Sequence, residues 1–252
     1  MKLRILCTTV FALLMITCTT LADEAGQQWL SKIDDAESVP WSIGTMTQTI
    51  TTTSGDERTF TFESFSADSG DVSLMAYTDP PRVAGDKILM LDGGDQVWYY
   101  MKRRDVTRHY AGHTLKQSAM GSDFSYEDLS TGDLQEDYTA ELLGEETLEG
   151  EPVVKLKATP TPDGPSYDHL ILWASTNDHL SRKIEYYDEE GLEKTLILSD
   201  FRTVDGRKTA FSMRMDNHRR NSYTVMNTIE IRYNEEPNAR LFTKGALAEP
   251  IE

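Results

Sequence analysis

From Trp41 to Tyr233 the chain repeats one unit: a short run rich in Thr, Val, Ile and aromatics, then a tight polar turn. Trp41 to Thr53 is rich in Thr and Ile, residue types that suit a pleated, half-buried surface. Ser54-Gly55-Asp56 turns the chain, and Arg58 to Phe65 then places Phe60 and Phe62 on one face. Phe65 falls out of phase with them, which predicts a bulge. Val72 to Tyr77 ends at Asp79-Pro80-Pro81, because proline cannot donate to a ladder. Lys87 to Leu91 and Gln96 to Met101 flank Asp92-Gly93-Gly94-Asp95, and Thr195 to Thr203 and Lys208 to Met215 flank Asp205-Gly206. Both spacers are hairpin signals. Between them lie Tyr138 to Leu143, Val153 to Ala158, His169 to Ala174 and Ser181 to Tyr187. The last run sets Tyr223, Val225, Ile229, Ile231 and Tyr233 on one side and Thr224, Thr228, Glu230 and Arg232 on the other, by its period of two.

Such a pattern dictates an antiparallel meander of roughly ten strands. One long interruption breaks it, Asp105 to Asp137, and no composition shift marks a domain boundary. A sheet of this length must curl, split or close. Several runs are apolar on both faces, Leu170 and Leu172 against Ile171 and Trp173, or Trp98 and Tyr100 against Val97, Tyr99 and Met101. A sheet wet on one side does not place aromatics on both. Glu24 to Glu37 carries Trp29, Leu30 and Ile33 on one helical face, so a helix is expected against the sheet. The fold class that follows is mainly β with a few helices. Helices that incompletely fill the sheet's hollow leave an apolar pocket there.

The first residues are a targeting segment by pattern. Met1-Lys2-Leu3-Arg4 is a positive start, Ile5 to Ile16 an apolar run, and Thr20-Leu21-Ala22 a small-x-small cleavage site. A cleavable signal peptide over residues 1–22 and a periplasmic mature chain over residues 23–252 are therefore expected. The apolar run is too short to span a bilayer. Both cysteines, Cys7 and Cys18, fall inside this segment, so the mature chain is expected to have no disulfide and no thiol metal site. The alternative is a lipoprotein anchored at Cys18, against which Thr17 is a poor preceding residue. The formal charge is −17, and loss of the leader removes Lys2 and Arg4 but no acid. So acidic a chain is repelled by nucleic acid and by anionic surfaces.

Several constellations invite a chemical reading. His109 and His113 are four apart, which on a helix would put both on one face as metal sites need. Gly112 between them, and Tyr110 where the zinc-protease pattern has its glutamate, argue against it. Asp123, Glu127 and Asp128 could form a carboxylate cluster for acid/base work or calcium; the simpler reading has Asp123 capping a helix that begins near Phe124. Ser122 or Ser125 with a histidine lacks the Gly-x-Ser-x-Gly elbow of a hydrolase, and no phosphate loop is present. No enzyme chemistry, cofactor or metal is expected. Lys102-Arg103-Arg104 is the densest basic run, either a solvated turn or a rim that meets an acidic partner or headgroup. Phe60, Phe62, Trp98, Tyr100 and Trp173 suit a pocket lining and an ordinary core equally.

The chain also resembles a known family. Trp98-Tyr99-Tyr100, the run Met120-Gly121-Ser122-Asp123-Phe124-Ser125-Tyr126-Glu127-Asp128-Leu129, and Leu143-Gly144-Glu145-Glu146 with Gly150 are similar to the outer-membrane lipoprotein-sorting proteins of the LolA/LolB-like superfamily. Lys183 to Asp188 with Gly191 and Lys194, and Leu241-Phe242-Thr243, extend the likeness in the same order. The resemblance implies a strongly curved, incomplete antiparallel β-barrel with helices covering its mouth. It implies carriage of a lipid, or of a lipoprotein's acyl chains, between inner and outer membrane. In that picture Phe60, Phe62, Trp98, Tyr100 and Trp173 line the pocket. Gly112 to Leu129 is a movable cover presenting Met120, Phe124, Tyr126 and Leu129, and Lys102, Arg103 and Arg104 form a rim. The partners expected of a monomer of this kind are a lipid or lipoprotein acyl chains, with an RND-type transporter or an outer-membrane acceptor; the alternative role is a non-carrying accessory subunit that docks on an RND-type inner-membrane transporter. One departure stands out: the family tends to follow Trp-x-Tyr with an apolar residue and proline, where this chain has Met101-Lys102.

Overall fold

The computed structural model describes residues 18–130 and 133–251. The expected leader, residues 1–22, lies up to position 17 outside the described residues, and its cleavage remains an expectation. A first helix, α1, spans Cys18–Glu37. Six strands follow as consecutive hairpins: β1 Trp41–Thr51, β2 Glu57–Ala67, β3 Val72–Asp79, β4 Lys87–Leu91, β5 Gln96–Met101 and β6 Val106–Tyr110. A short helix, α2 Leu134–Asp137, precedes seven more: β7 Tyr138–Leu148, β8 Glu151–Pro160, β9 His169–Ser175, β10 Ser181–Asp188, β11 Gly191–Val204, β12 Arg207–Asn217 and β13 Ser222–Arg232. All thirteen form one antiparallel sheet, in the order β6-β5-β4-β3-β2-β1-β13-β12-β11-β10-β9-β8-β7.

That order explains the interruption in the sequence pattern. The chain enters mid-sheet at β1, runs outward to the edge strand β6, and must reach the far edge before β7 can begin. Residues 111–137 make that crossing. Every other connection between strands is local, and the tight ones use left-handed residues. Glu149 and Gly150 have φ of 51° and 89°, and Asp205 and Gly206 of 50° and 83°, the paired positive angles of a type I′ hairpin. The interruption is shorter than the pattern suggested, because Val106–Tyr110 is itself a strand. Four of its five residues are exposed, so it carries no inward-outward alternation to reveal it.

The sheet is strongly curved and not closed into a barrel. Its inner face bears two adjoining apolar clusters. One gathers Leu30 and Ile33 of α1 with Leu156, Leu172, Leu196, Met215 and Met226; the other gathers Phe60, Phe62, Tyr77, Ile88, Met90 and Val97. Burial of each such side chain contributes about 1.5–3 kcal/mol. Met46 and Leu129 touch both clusters, which joins them into one layer. A third cluster lies on the outer face, where Ile43, Phe65, Leu74, Leu89 and Tyr100 pack beneath Phe242 and Leu247 of the C-terminal turns. Lys87, 5% exposed, ties that segment down by donating to the carbonyls of Ala246 and Glu249.

The third cluster corrects one expectation. Phe65 is out of phase with Phe60 and Phe62 because it points to the outer face; β1 and β2 pair without a register shift, and the shift that β2 does show lies in its ladder with β3 between Thr61 and Phe62, where Thr78 is the extra residue. A second correction concerns β13. Thr224 and Met226 are its buried residues, whereas Ile229 is 58% exposed. The ladder with β1 skips Ile229, passing from Thr228 to Glu230. This one-residue bulge shifts the phase, so Tyr223 and Val225 lie on the opposite face from Ile231 rather than on one side with it.

Two contacts dock α1. A Cβ on Gly26 would come within 2.2 Å of the Ala140 carbonyl oxygen, so only glycine allows the helix so close to β7. Gln27 then pairs with the edge strand as another strand would: its amide donates to the Tyr138 carbonyl and accepts from Ala140 N–H, both at 3.1 Å. Asp34 accepts from the N–H groups of Leu134 and Gln135, both at 3.0 Å, tying α1 to α2. Burial, and Asp133 beside it, push the Asp34 carboxyl up to about 7. A carboxyl raised on folding stabilises fully below its unfolded value of about 4, and that contribution is lost as pH climbs through the folded value. The melting temperature is therefore expected to fall between pH 4 and 7 by more in the wild type than in Asp34→Asn. Superimposable pH profiles of the two would refute this.

Candidate functional site

The inner face is not an open hollow. Residues 112–129 run across it as a plug, built from three short 3₁₀ turns at Gly112–Lys116, Ala119–Gly121 and Glu127–Leu129. The structure has no helix starting at Phe124, and Asp123 caps nothing. Asp123 is 2% exposed and docks on β13. Its carboxylate accepts from Ser222 Oγ at 2.6 Å, Thr224 Oγ1 at 2.8 Å and Arg220 Nη2 at 3.0 Å. Thr224 Oγ1 in turn accepts from the Asp123 N–H.

Capping occurs two residues further on. Ser125 N–H donates to Asp128 Oδ2 and Asp128 N–H to Ser125 Oγ, the reciprocal bonds of a capping box. Asp128 carries a second load. Its fully buried carboxylate accepts from Tyr167 OH at 2.5 Å and Lys194 Nζ at 2.8 Å, and Lys194 also donates to Tyr167 OH. Glu127 accepts from the N–H and hydroxyl of Ser166. The three carboxylates therefore do not converge on an ion. They diverge to β13, to β11 and to the β8–β9 link, each fastening the plug to a different part of the barrel.

The apolar residues between them complete the fastening. Phe124 inserts into the cluster beneath α1, and Tyr126 into the cluster of Phe60 and Phe62, where its ring stacks on Tyr110 of β6 at 4.5 Å. Met120 packs at the second cluster and Leu129 at both. Met120, Phe124, Tyr126 and Leu129, expected as a movable cover, are packed into the clusters of the inner face.

The expected pocket aromatics separate. Phe60 and Phe62 face the inner layer beneath the plug. Trp98 and Tyr100 face outward in the third cluster. Trp98 stacks on His109 at 4.1 Å, with Lys244 Nζ at 4.0 Å over its ring. Trp173 also points outward: its neighbours Leu172 and Ala174 take the inner face, and Lys155 and Lys183 lie over its ring while its indole N–H donates to Glu146. Strand alternation sends Val97 and Tyr99 inward in place of Trp98 and Tyr100. His109 lies in β6 and His113 in the following 3₁₀ turn, so no helix aligns them. Lys102, Arg103 and Arg104 form an exposed turn between β5 and β6 that makes no ion pair among the described residues. Sequence reasoning missed Tyr167, Arg220 and Thr224 as anchors. The available signal was Asp123 and Asp128 inside an apolar run, since a buried carboxylate demands partners elsewhere.

The two best-formed cavities hold about 180 Å³, between the end of α1 and β10–β12, and about 260 Å³, between the plug and the ends of β11–β13. Both fall short of the ~300–1,000 Å³ usual for ligand sites.

A protein-family model described as "uncharacterized protein" matches residues 69–249. No protein of curated function matches the chain. Among solved structures, a DUF1329 family protein from Desulfovibrio piger superposes with a TM-score of 0.84 at 26% identity, over 90% of this chain and 99% of that one. A domain assigned to the outer membrane lipoprotein-sorting proteins, from Vibrio parahaemolyticus, gives 0.83 at 25% identity with the same coverage. A LolA superfamily protein from Nitrosomonas europaea gives 0.72 at 20% identity, over 87% and 98%, a likeness of fold.

Proposed function

We propose that this chain, which matches a family of uncharacterized proteins over residues 69–249 and is similar to a lipoprotein-sorting domain and in fold to a LolA superfamily protein, is a periplasmic carrier of a lipid or of lipoprotein acyl chains. One observation carries the proposal. A continuous apolar layer on the inner face is covered by a segment without regular secondary structure, which is fastened by a few side chains. In this reading the plug withdraws and acyl chains take the places of Phe124, Tyr126 and Leu129 against Phe60, Phe62 and the residues beneath α1. Each methylene so buried stabilises the complex by roughly 0.8 kcal/mol, so affinity needs few polar contacts and no catalytic residue.

The accessory-subunit reading is favoured by a different observation. With the plug seated, side chains fill the interior, and the unpaired basic turn at Lys102-Arg103-Arg104 offers a docking point for an RND-type transporter. One experiment separates the two. A carrier is expected to release lipid into the mass spectrum of gently purified protein and to enhance the fluorescence of an uncharged acyl probe, with Phe62→Asp abolishing uptake. An empty protein that takes up no probe would favour docking alone.

A further inference from the structure

We infer that the cavity between the plug and the ends of β11–β13 is a binding site for a phosphate group. It is lined by Lys116, Ser118, Asp123, Phe124 and Ser125 of the plug, by Glu193 and Lys194 of β11, by Asn217 at the end of β12, and by Arg219 and Arg220 of the β12–β13 turn. Four of these ten carry positive charge and two negative, in a chain whose formal charge is −17.

Their existing commitments leave donors free. Arg220 spends only Nη2 on the plug, bonding Ser122 O and Asp123 Oδ1, and its Nε and Nη1 have no partner among the described residues. Asn217, 5% exposed, accepts Arg220 N–H through Oδ1, and its amide NH₂ has no partner there. The Lys116 ammonium makes no ion pair or hydrogen bond within the described residues. Two carboxylates also line the cavity, Asp123 and Glu193. Asp123 is satisfied by Ser222, Thr224 and Arg220, and Glu193 lies 4.0 Å from Lys194. Arg219 is held by Asp188 and Glu190, and Lys194 by Asp128. The uncommitted capacity is therefore two separate guanidinium donors, Nε–H and Nη1–H of Arg220, with an amide and an ammonium.

One phosphate oxygen can accept from a free Arg220 N–H and another from the Asn217 amide, and a lysine adds charge without demanding geometry. Bound there, the phosphate bridges Lys116 on the plug to Arg220 and Asn217 on the sheet, without displacing Asp123. Its occupancy holds the plug shut, and a ligand that binds only this folded form raises its melting temperature. The phosphate comes either from a lipid headgroup or from the free anion. The headgroup source rests on the carrier reading above; the site itself does not.

The test titrates the full chain with inorganic phosphate and, separately, with phosphatidylglycerol vesicles against phosphatidylcholine vesicles. The proteins compared are the wild type, Lys116→Gln and Arg220→Gln. Lys116→Gln removes only the charge of an exposed side chain that makes no ion pair or hydrogen bond among the described residues, whereas Arg220→Gln also loosens the plug. Binding weakened at least tenfold by Lys116→Gln, for either probe, supports the site. Loss for inorganic phosphate alone identifies the free anion as its source, and loss for phosphatidylglycerol identifies the headgroup. Binding of neither probe, or affinities that Lys116→Gln leaves unchanged, overturns it. Uptake of the uncharged acyl probe is scored in parallel. Uptake without a Lys116-dependent phosphate effect sinks this inference and leaves the carrier standing, and the converse result does the reverse.

Discussion

Asp128→Ala is expected to cost the fold about 3–5 kcal/mol, because it strands a buried ammonium. The Asp128 side chain is fully shielded and that of Lys194 is 6% exposed. Without the carboxylate, Lys194 keeps the Tyr167 hydroxyl and only a distant Glu193 carboxylate at 4.0 Å, and Ser125 N–H loses its acceptor. Lys194→Met is expected to cost a similar amount by stranding the carboxylate instead. The double substitution Asp128→Leu with Lys194→Met should recover much of the loss, since a well-packed apolar pair often replaces a buried ion pair at little cost. Urea denaturation of the three variants measures this coupling. Losses that simply add in the double variant would show that the two groups act independently and that the plug is not fastened through them.

This pair shows what sequence can and cannot reveal. Strand alternation, the type I′ turns at Glu149-Gly150 and Asp205-Gly206, and the apolar stripe of α1 are local, and each was legible because its cause lies within a few residues. The interruption after β6 was also legible, as a loss of period. Its destination was not. Asp123 meets Thr224, and Asp128 meets Lys194 and Tyr167, only because the sheet order sends this segment from one edge to the other. The local signal, Asp123 ahead of an acidic turn, pointed to a helix cap, and the capping box did form, but on Ser125 and Asp128. The aromatics misled for a related reason. Trp98, Tyr100 and Trp173 are as apolar as Phe60 and Phe62, yet a sheet covered on both faces needs such residues on each. Only the pairing with Phe242 and Leu247 shows which face is outer. A two-sided core removes the contrast on which amphipathic reasoning depends.

Phe124→Ala is expected to separate motion of the plug from unfolding of the barrel. Phe124 is 3% exposed within the cluster beneath α1, and truncating a buried Phe costs about 3–5 kcal/mol. A plug that opens on its own feels that loss in its local opening equilibrium. Hydrogen exchange of the Ala119, Ser122 and Tyr126 amides, which bond to Phe124 O, Ala119 O and Gln117 O, should then accelerate by roughly a hundredfold to a thousandfold. The amides of β1 and β2 open only with the whole sheet. Global opening also breaks the Phe124 contacts, so strand amides accelerate as well, and the two cases are separated by the opening free energy itself. Equal opening free energies for plug and strand amides would mean that the plug leaves only when the sheet does. In that case acyl chains have no route to Phe60 and Phe62 in the folded protein, and carriage would need another entrance. A lower opening free energy for the plug amides would establish that the inner layer is uncovered at a cost well below global unfolding, which is the physical requirement for loading and release.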